Sequence, residues 1–295
     1  ISSRPFDTIL LDYTKLAHHT ALLGNGKIKK ILNVHNAESD VARQSMRRGK
    51  GLAKLVHGLR WKIYERYERK FLPKYDLLLA SSEVDADFYR RLAPNTKTIV
   101  IPNAIDTDGL IPLGAPEQPF SLIYPGRMDY APNAEAVEIF CRQIMPRIVE
   151  ELPAARFYIV GKNPPRAVRE LASDQVVVTG YVDDVLPYWR KASALVVPLS
   201  IGGGTRIKIL EAMALGRPVV STSKGCEGLE VAHQKHLFIA DGPKEFAECV
   251  IRVLRNPDQF YEIVLAARRL VEEKYSFTAL AAMLQAALGE SGNEM

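Results

Sequence analysis

Residues 194–221 constrain the fold of this chain more than any other stretch, because their pattern predicts strand, glycine loop, helix, turn and strand. Residues 194–197 form a short apolar run with β-branched members, which is typical of a buried parallel strand. The predicted helix runs from about 205 to 215. Gly216 has the position of a helix C-cap, and Pro218 forbids continuation of the helix. A strand, a helix and a second strand in this order indicate an α/β fold.

Three consecutive glycines, Gly202, Gly203 and Gly204, form the loop between this strand and the helix. Without Cβ atoms, the backbone N–H groups of the loop can approach a ligand closely. Thr205 is a plausible N-cap or first-turn residue of the helix. The unpaired N–H groups of a helix N-terminus attract anions, so the loop is a candidate phosphate site.

Three charged residues on the predicted helix sharpen this interpretation. Arg206 and Lys208 add positive charge next to the loop, which predicts a diphosphate site. Glu211 lies further along the helix, where a carboxylate can accept two hydrogen bonds from a vicinal diol such as a ribose. The alternative is a glycine loop that binds nothing, as in many doubly wound folds. Charges beside an apolar helix face are costly unless they are used, which favours the binding site.

Strands and helices alternate along the whole chain, which predicts parallel sheets covered by helices on both faces. A linker rich in proline and glycine at 111–119 divides the chain into two doubly wound domains. We place the first domain at 1–115 and the second at 116–276, with a terminal helical segment at 277–295. The chain opens on a connector and a strand, so we expect it to begin inside a longer gene product.

Further candidate residues follow predicted strands, at the sheet edge where ligands bind in open α/β sheets. Gly126 and Arg127 follow one strand, and Tyr181 and Val182 lie in a turn that can hold a nucleobase through backbone groups. His35 follows a strand of the first half. The alternative for His35 is a structural role, such as capping the next helix.

Positive charge is concentrated in the first half, where residues 1–115 hold 19 Lys and Arg against 12 Asp and Glu. Much of it lies in 41–74, where an apolar stripe at helical spacing runs among the cations. Such a basic amphipathic helix is compatible with an anionic membrane surface. A solvated helix whose stripe packs on its own sheet fits equally well. Nucleic acid is not expected as a partner, because no recognition motif accompanies the charge.

The cysteines predict a reduced, cytoplasmic protein. Cys141, Cys226 and Cys249 are scattered and match no metal-ligand spacing, so we expect no metal site. No apolar run is long enough to span a bilayer. A peripheral location on the inner face of the membrane is the variant that the basic stretch suggests.

These motifs resemble the retaining glycosyltransferases of the GT-B fold, specifically glycosyltransferase family 4. The resemblance covers nearly the whole chain and is most specific in the second half. In the first half it includes His35-Asn36, Ser82-Glu83 and 101–106. The second-half motifs are Tyr124-Pro-Gly-Arg127, 155–161, 178–183 and Gly202-Gly-Gly-Thr-Arg-Ile-Lys-Ile-Leu-Glu-Ala-Met-Ala-Leu-Gly-Arg-Pro-Val219.

The resemblance implies a sugar transfer, with retention, from a nucleoside diphosphate sugar to a glycan or lipid-linked acceptor. Arg127 and Lys208 would neutralise the diphosphate in place of a metal, Glu211 would bind the ribose hydroxyls, and no cofactor is implied. His35 would face the donor sugar from the first domain, and the last helix would cross back to that domain. The donor-binding residues implied by the motifs are Gly126, Tyr181, Val182, Gly202, Gly203, Gly204, Thr205, Arg206, Leu210 and Glu211.

The chain departs from the family pattern at three places. Gly203 occupies the position of the first of two family glutamates, and Asn133 that of a lysine, so Lys208 is expected to supply that charge. The first half lacks the family's opening strands. These departures keep open a non-catalytic nucleotide-binding or scaffolding module. An NAD-dependent oxidoreductase is disfavoured, because no Gly-x-Gly-x-x-Gly follows the first strand of either half.

Overall fold

A computed structural model describes residues 6–22, 28–35, 37–203 and 206–289. The chain divides into two compact units. The first unit holds the described residues within 1–103, 201–205 and 280–295. The second unit holds 104–200 and 206–279.

The first unit is built on a four-stranded parallel sheet in the order β1-β2-β3-β4. Apolar runs form these strands, and β3 is buried at every position. Between them lie a 3₁₀ helix at Thr14–Leu22 and three α-helices. The strands are β1 (Thr8–Asp12), β2 (Lys29–Val34), β3 (Leu77–Ala80) and β4 (Lys97–Val100), and the helices are α1 (Glu38–Arg48), α2 (Gly51–Phe71) and α3 (Glu83–Leu92).

The basic stretch forms two helices, and not the single helix expected from 41–74. Helix α1 ends at Arg48, and Gly49 leaves the helix with extended dihedral angles. Gly51 opens α2 at φ +54°, in the left-handed region that favours glycine. The glycines at 49 and 51 thus separate the two helices, which pack against each other along their lengths.

The second unit contains a six-stranded parallel sheet in the order β10-β9-β8-β5-β6-β7. Its central strands are apolar and almost wholly buried, as expected for a sheet covered on both faces. From β5 the chain adds β6 and β7 on one side and then β8, β9 and β10 on the other. The strands are β5 (Ser121–Pro125), β6 (Arg156–Val160), β7 (Val176–Gly180), β8 (Ala194–Val197), β9 (Val219–Ser221) and β10 (Phe238–Ile239).

Helices cover this second sheet, and one of them carries an irregularity. A π-helical turn at Phe140–Ile144 joins α4 to α5, where the sequence predicts one continuous helix over 131–150. Pro146 follows the turn near the start of α5 and cannot donate a helical hydrogen bond. The helices are α4 (Ala131–Ile139), α5 (Met145–Glu151), α6 (Arg166–Arg169), α7 (Leu186–Lys191), α8 (Ile207–Ala214), α9 (Pro243–Arg255), α10 (Tyr261–Lys274) and α11 (Phe277–Gly289).

The expectation of two parallel-sheet α/β units is confirmed. The boundary between the units lies earlier in the chain than the linker at 111–119 predicted. Residues 104–115 belong to the second unit and not to the first. Arg268 of α10 donates hydrogen bonds to the carbonyl oxygens of Thr107 and Leu110, and thereby anchors this segment. The described residues 280–289 group with the first unit, where Leu284 packs on Ile31 and its neighbours.

Candidate active site

The second sheet has a topological switch point between β5 and β8, because the connections from these neighbours run in opposite directions. Ligands of open α/β sheets bind in the crevice outside the carboxyl ends of the strands at such a point. Gly126 and Arg127 follow β5, and the segment that leads to α8 follows β8. Gly126, Arg127 and the start of α8 therefore lie at this crevice, whereas Tyr181 and Val182 follow β7 at the edge of the sheet.

Lys208, in the first turn of α8, is a cation at the crevice whose contacts come from two other elements. Its Nζ lies 3.5 Å from the ring centroid of Tyr124, a cation–π contact, and 3.3 Å from Oδ1 of Asn133. Burial lowers the pKa of Lys208 well below its usual value, and the charge of Arg206 acts in the same direction. Glu211 opposes that shift. An anion entering the crevice would stabilise this desolvated ammonium.

Asn133, on α4, links the side chains at the end of β5. Its Oδ1 accepts a hydrogen bond of 2.6 Å from the hydroxyl of Tyr124, and its Nδ2 donates one of 2.9 Å to the carbonyl of Arg127. Gly126 has φ +153°, and a Cβ there would lie 3.0 Å from Nδ2 of Asn133 and 3.1 Å from Nζ of Lys208. The absence of a side chain at Gly126 leaves room for both polar groups.

Glu211 lies on α8 one turn beyond Lys208. Burial raises the pKa of its carboxyl, and the nearby charge of Lys208 acts against that shift. Leu210 is fully buried in the core of the second unit, so its side chain supports the helix. Arg206 is buried and occupies the N-cap position, which places the start of α8 at Ile207, later than the predicted 205.

Arg127 points its guanidinium at Asp129. Nε and one terminal nitrogen of Arg127 each donate a 3.0 Å hydrogen bond to the Asp129 carboxylate. Asn163, after β6, donates a third hydrogen bond to it at 3.1 Å. These bonds lower the pKa of Asp129 to about 2, with Arg127 as the largest cause. Arg127 is two-thirds exposed, so its guanidinium is available to an anion that replaces Asp129.

The ends of β5, β6 and β7 are joined by backbone contacts. The N–H of Gly126 donates to Val160, and the N–H of Gly161 donates to Gly180. A Cβ on Gly161 would lie 1.8 Å from the carbonyl oxygen of Gly126, so only glycine fits there. Beyond Gly180, Tyr181 is 70% exposed and its ring has few protein neighbours.

The remaining donor-binding candidates are divided between the two units. Val182 is half-buried and packs on the core of the second unit. Gly202 has φ +125° and is grouped with the first unit, where its N–H donates to Oε1 of Gln44 at 3.4 Å. Gly203 is half-buried. Gly204 and Thr205 lie outside the described residues.

In the first unit, His35 follows β2 and contacts the end of β1. Its Nε2 lies 2.7 Å from Oδ1 of Asp12, and its ring centroid lies 4.4 Å from that of Tyr13. Nδ2 of Asn33 donates a 2.9 Å hydrogen bond to the same Asp12 oxygen. The carboxylate thus orients the imidazole.

A cavity of about 220 Å³ lies beneath α2 in the first unit. One wall contains Glu68, which is 1% exposed. The hydroxyl and the N–H of Ser39 both donate to its carboxylate. Burial raises the pKa of Glu68 to about 7. The lining residues are Thr14, Lys15, His18, Glu38, Ile63, Tyr64, Tyr67 and Glu68.

Sequence reasoning missed three of these features. The Asp12–His35 contact could have been predicted from the sequence. Asp12 ends β1, His35 follows β2, and neighbouring parallel strands bring their carboxyl ends together. The bond between Lys208 and Asn133 joins residues 75 positions apart, and no local pattern indicates it. The burial of Glu68 likewise depends on how α1 packs against α2.

Two kinds of feature are absent from the described residues. Among them, no three His, Cys, Asp or Glu side chains come together as a group that could hold a metal ion. In the part of the chain that the structure describes, no helix is both long enough and apolar enough to cross a membrane.

Two family models match the chain, one in each half. "Glycosyltransferase Family 4" matches residues 2–109, and "Glycosyl transferases group 1" matches residues 119–256. A phosphatidyl-myo-inositol mannosyltransferase of Mycobacterium leprae is 25% identical over 203 residues, which cover 65% of this chain and 53% of that protein. The chain spans about half the length of the curated relatives it matches.

Solved structures share the fold. Sucrose-phosphate synthase from Thermosynechococcus elongatus superposes with a TM-score of 0.78 at 17% identity, covering 98% of this chain and 74% of that one. The HepE protein of Anabaena, solved in complex with UDP-glucose, superposes with a TM-score of 0.73 at 14% identity. That superposition covers 96% of this chain and 79% of the HepE chain. At these identities the likeness concerns the fold alone.

Proposed function

Because this chain belongs to the family 4, group 1 glycosyltransferases with the GT-B fold, we propose that it transfers a sugar from a nucleoside diphosphate sugar to a glycan or lipid-linked acceptor. We further propose retention of the anomeric configuration. The UDP-glucose complex of the Anabaena structure and the mannosyltransferase relative support a nucleotide sugar as donor.

The position of Lys208 carries the proposal. The ammonium is desolvated, lies at the switch point of the second sheet and sits in the first turn of α8. A diphosphate there would receive hydrogen bonds from Lys208 and from N–H groups at the helix N-terminus. As the bond to the sugar breaks, negative charge grows on the diphosphate, and a fixed cation stabilises it.

The neighbouring residues have complementary roles. Arg127 adds a second cation once the diphosphate replaces Asp129 as its partner. We propose that these two cations take the place of a divalent metal. Glu211 accepts hydrogen bonds from the ribose hydroxyls, and the turn at Tyr181 and Val182 holds the base.

The first unit supplies the contact to the donor sugar through His35. Asp12 keeps the imidazole in one orientation, because its carboxylate accepts a hydrogen bond from Nε2. In the retaining reaction the acceptor hydroxyl attacks on the face from which the diphosphate leaves. The leaving diphosphate then takes up the hydroxyl proton.

The test compares two lysines that both lie over tyrosine rings. Lys208 lies over Tyr124 at the crevice, and Lys191 lies over Tyr188 on α7. We expect Lys208→Met to weaken binding of the preferred nucleoside diphosphate by about 10- to 100-fold, as for the loss of a charge-assisted hydrogen bond. Lys191→Met is expected to leave binding unchanged. Calorimetric titration with UDP, GDP and ADP measures both.

Turnover separates the enzyme from a non-catalytic nucleotide-binding module, which Gly203 in place of the family glutamate keeps as the second candidate. Release of nucleoside diphosphate from the matching sugar donor, with product anomers resolved by NMR, supports transfer with retention. Persistence of that activity in EDTA supports the two-cation assignment. Tight binding with no turnover on any donor and acceptor pair would favour the module.

A further inference from the structure

Helix α2 carries an exposed apolar stripe that the proposed chemistry does not use. Its five members recur every three or four residues and therefore lie along one side of the helix. Leu52 is 77% exposed, Leu55 71% and Leu59 62%. Isolated exposed leucines are normal in proteins, but a row at helical spacing is a contiguous patch that marks an interaction site. The α2 stripe consists of Leu52, Leu55, Val56, Leu59 and Ile63.

The opposite side of α2 packs on the first unit. Glu68 is buried against Ser39 of α1, and the sulfur of Met46 lies 3.3 Å from where a Cβ on Gly58 would be. Tyr67 donates a hydrogen bond to the carbonyl of Lys15. The helix is therefore fixed largely by one face, and the α2 stripe is left exposed. Ile63, the last member of the stripe, also borders the cavity beside Tyr67 and Glu68.

Cations flank the α2 stripe. On a helical projection, Arg60 lies on one side and Lys62 on the other, and Arg66 lies in line with the stripe one turn beyond Ile63. All of the lysines and arginines of α2 are exposed, namely Lys54, Arg60, Lys62, Arg66, Arg69 and Lys70. The helix has two acidic residues: Glu65 is paired with Arg69, and Glu68 is buried. The exposed face thus combines leucines with unopposed positive charge.

We propose that this face of α2 docks on an anionic lipid bilayer, with the helix lying in the plane of the interface. Apolar side chains enter the boundary between headgroups and acyl chains, while flanking Lys and Arg contact the lipid phosphates. Long basic side chains can keep their charges at headgroup level beside buried leucines.

Charge decides between the bilayer and a second copy of this chain as the occupant. Self-association through the α2 stripe would bring the basic flanks of two identical helices together, and like charges at close range repel. A bilayer of anionic lipids complements both parts of the surface. The inference does not depend on the proposed transferase activity, because α2 holds none of the candidate site residues.

The experiment uses the full chain and vesicles of phosphatidylcholine with or without phosphatidylglycerol, with bound protein measured by cosedimentation. We expect binding to the anionic vesicles, and little to neutral ones. Arg60→Gln/Lys62→Gln should weaken it by about 30-fold, at about 1 kcal/mol per charge near the surface. Leu55→Gln/Leu59→Gln should weaken it by about 10-fold or more.

A matched control removes exposed apolar surface elsewhere. Ile111 and Tyr261 of the second unit are 66% and 61% exposed, and Ile111→Gln/Tyr261→Gln should bind vesicles as the parent does. Circular dichroism of each variant checks that α2 is intact. Nucleoside diphosphate titration of the same variants should be unchanged, which separates this test from that of the proposed function.

Three results would overturn the proposal: no binding to anionic vesicles, equal binding to neutral vesicles, or undiminished binding of the leucine variant. Dimers that dissociate in Leu55→Gln/Leu59→Gln without any vesicle binding would assign the stripe to a second copy. Binding to a polyglutamate peptide but not to vesicles would assign it to an acidic protein partner.

Discussion

The two units bury their strands to different extents. Every residue of β5, β8 and β9 in the second sheet is buried, whereas β1, at the edge of the first sheet, alternates between exposed and half-buried positions. The polar side chains of the second unit therefore lie at the ends of tightly packed strands, where they have little freedom to move. The first unit presents charge on an edge strand and on a helix surface. In the second unit, the buried strands hold the candidate donor-site residues in place. In the first unit, the charged side chains on β1 and on the helix surface are accessible to solvent.

Their buried carboxyl groups differ in the same way. Glu211 of the second unit has the ammonium of Lys208 as a counter-charge. Glu68 of the first unit has the hydroxyl and N–H of Ser39, and the charges of Glu38 and Glu65 raise its pKa further. A cation thus opposes the rise in the pKa of Glu211, while Glu68 lies in a setting that favours the protonated form.

The largest expected effect tests the packing at the strand ends. Gly161→Ala should lower the free energy of unfolding by about 4 kcal/mol, because the new Cβ collides with the Gly126 carbonyl at a positive φ. Gly180→Ala, at φ +70° with open space around it, should cost about 1 to 2 kcal/mol.

Chemical denaturation followed by the fluorescence of Trp189 measures this difference in the second unit. A Trp61→Phe background removes the signal of the first unit, since the chain has only two tryptophans. Equal losses in the two glycine variants would contradict the tight packing of β5 against β6.

Glu68 gives the next largest effect. Its pKa is raised to about 7 in the folded state, so the folded protein binds more protons than the unfolded chain between about pH 4.5 and 7. Stability of the first unit should fall by about 3 kcal/mol as pH rises through that window, and the loss is complete above it. Glu68→Gln should remove most of this dependence.

Urea denaturation at pH 5 and pH 8, read from Trp61 in a Trp189→Phe background, checks the Glu68 prediction. Glu83→Gln, at an exposed carboxylate of α3 in the same unit, is the control and should keep the parent's pH dependence. An unchanged slope in Glu68→Gln would show that the carboxyl titrates normally, and the contrast with Glu211 would then fail.

A smaller effect is expected at the exposed edge of the first sheet. Asp12→Asn removes the charged partner of His35 and should lower kcat by about 10-fold through loss of orientation. Stability should change by less than about 1 kcal/mol, because the Asp12 side chain is more than half exposed to solvent. Asp87→Asn breaks another exposed pair, with Arg90, and should leave kcat unchanged. Parallel losses of kcat in both variants would contradict a specific role for Asp12.

The smallest expected effect is the uptake of protons when a nucleoside diphosphate binds near Lys208. Part of the Lys208 population should be neutral at alkaline pH, because burial lowers its pKa, and a bound diphosphate should restore the proton. Nucleoside diphosphate binding should therefore take up a fraction of a proton, measured calorimetrically in buffers of different ionisation enthalpy. Lys208→Met should abolish the uptake and Lys191→Met should keep it. Uptake that survives in Lys208→Met would place the titrating group elsewhere.

The sequence predicted the strands better than the helices, for a physical reason. Strand β8 lies where the short apolar run at 194–197 predicted it, since a buried parallel strand needs such a run. The prediction of a single helix over 41–74 was wrong, because glycines at 49 and 51 divide the stretch into two helices. Amphipathic spacing continues across such a break and does not reveal it.

The candidate site was predictable only where its parts are local. The spacing of Lys208 and Glu211 on one helix is visible in the sequence. The neighbours that change their pKa values come from other elements, such as Tyr124 and Asn133 beside Lys208. The same holds for Asp129, which engages Arg127 through a turn whose geometry no spacing rule gives.

The π-helical turn at Phe140–Ile144 has a consequence for how this chain tolerates changes in length. Such a turn holds one residue more than the α-helical turn it replaces, and each residue rotates a helix by about 100° and advances it by about 1.5 Å. Deleting one residue there would leave either Asn133 turned away from Tyr124 or Ile148 turned out of the core. One residue in this turn, far along the helix from the crevice, thus sets the alignment of the candidate donor site.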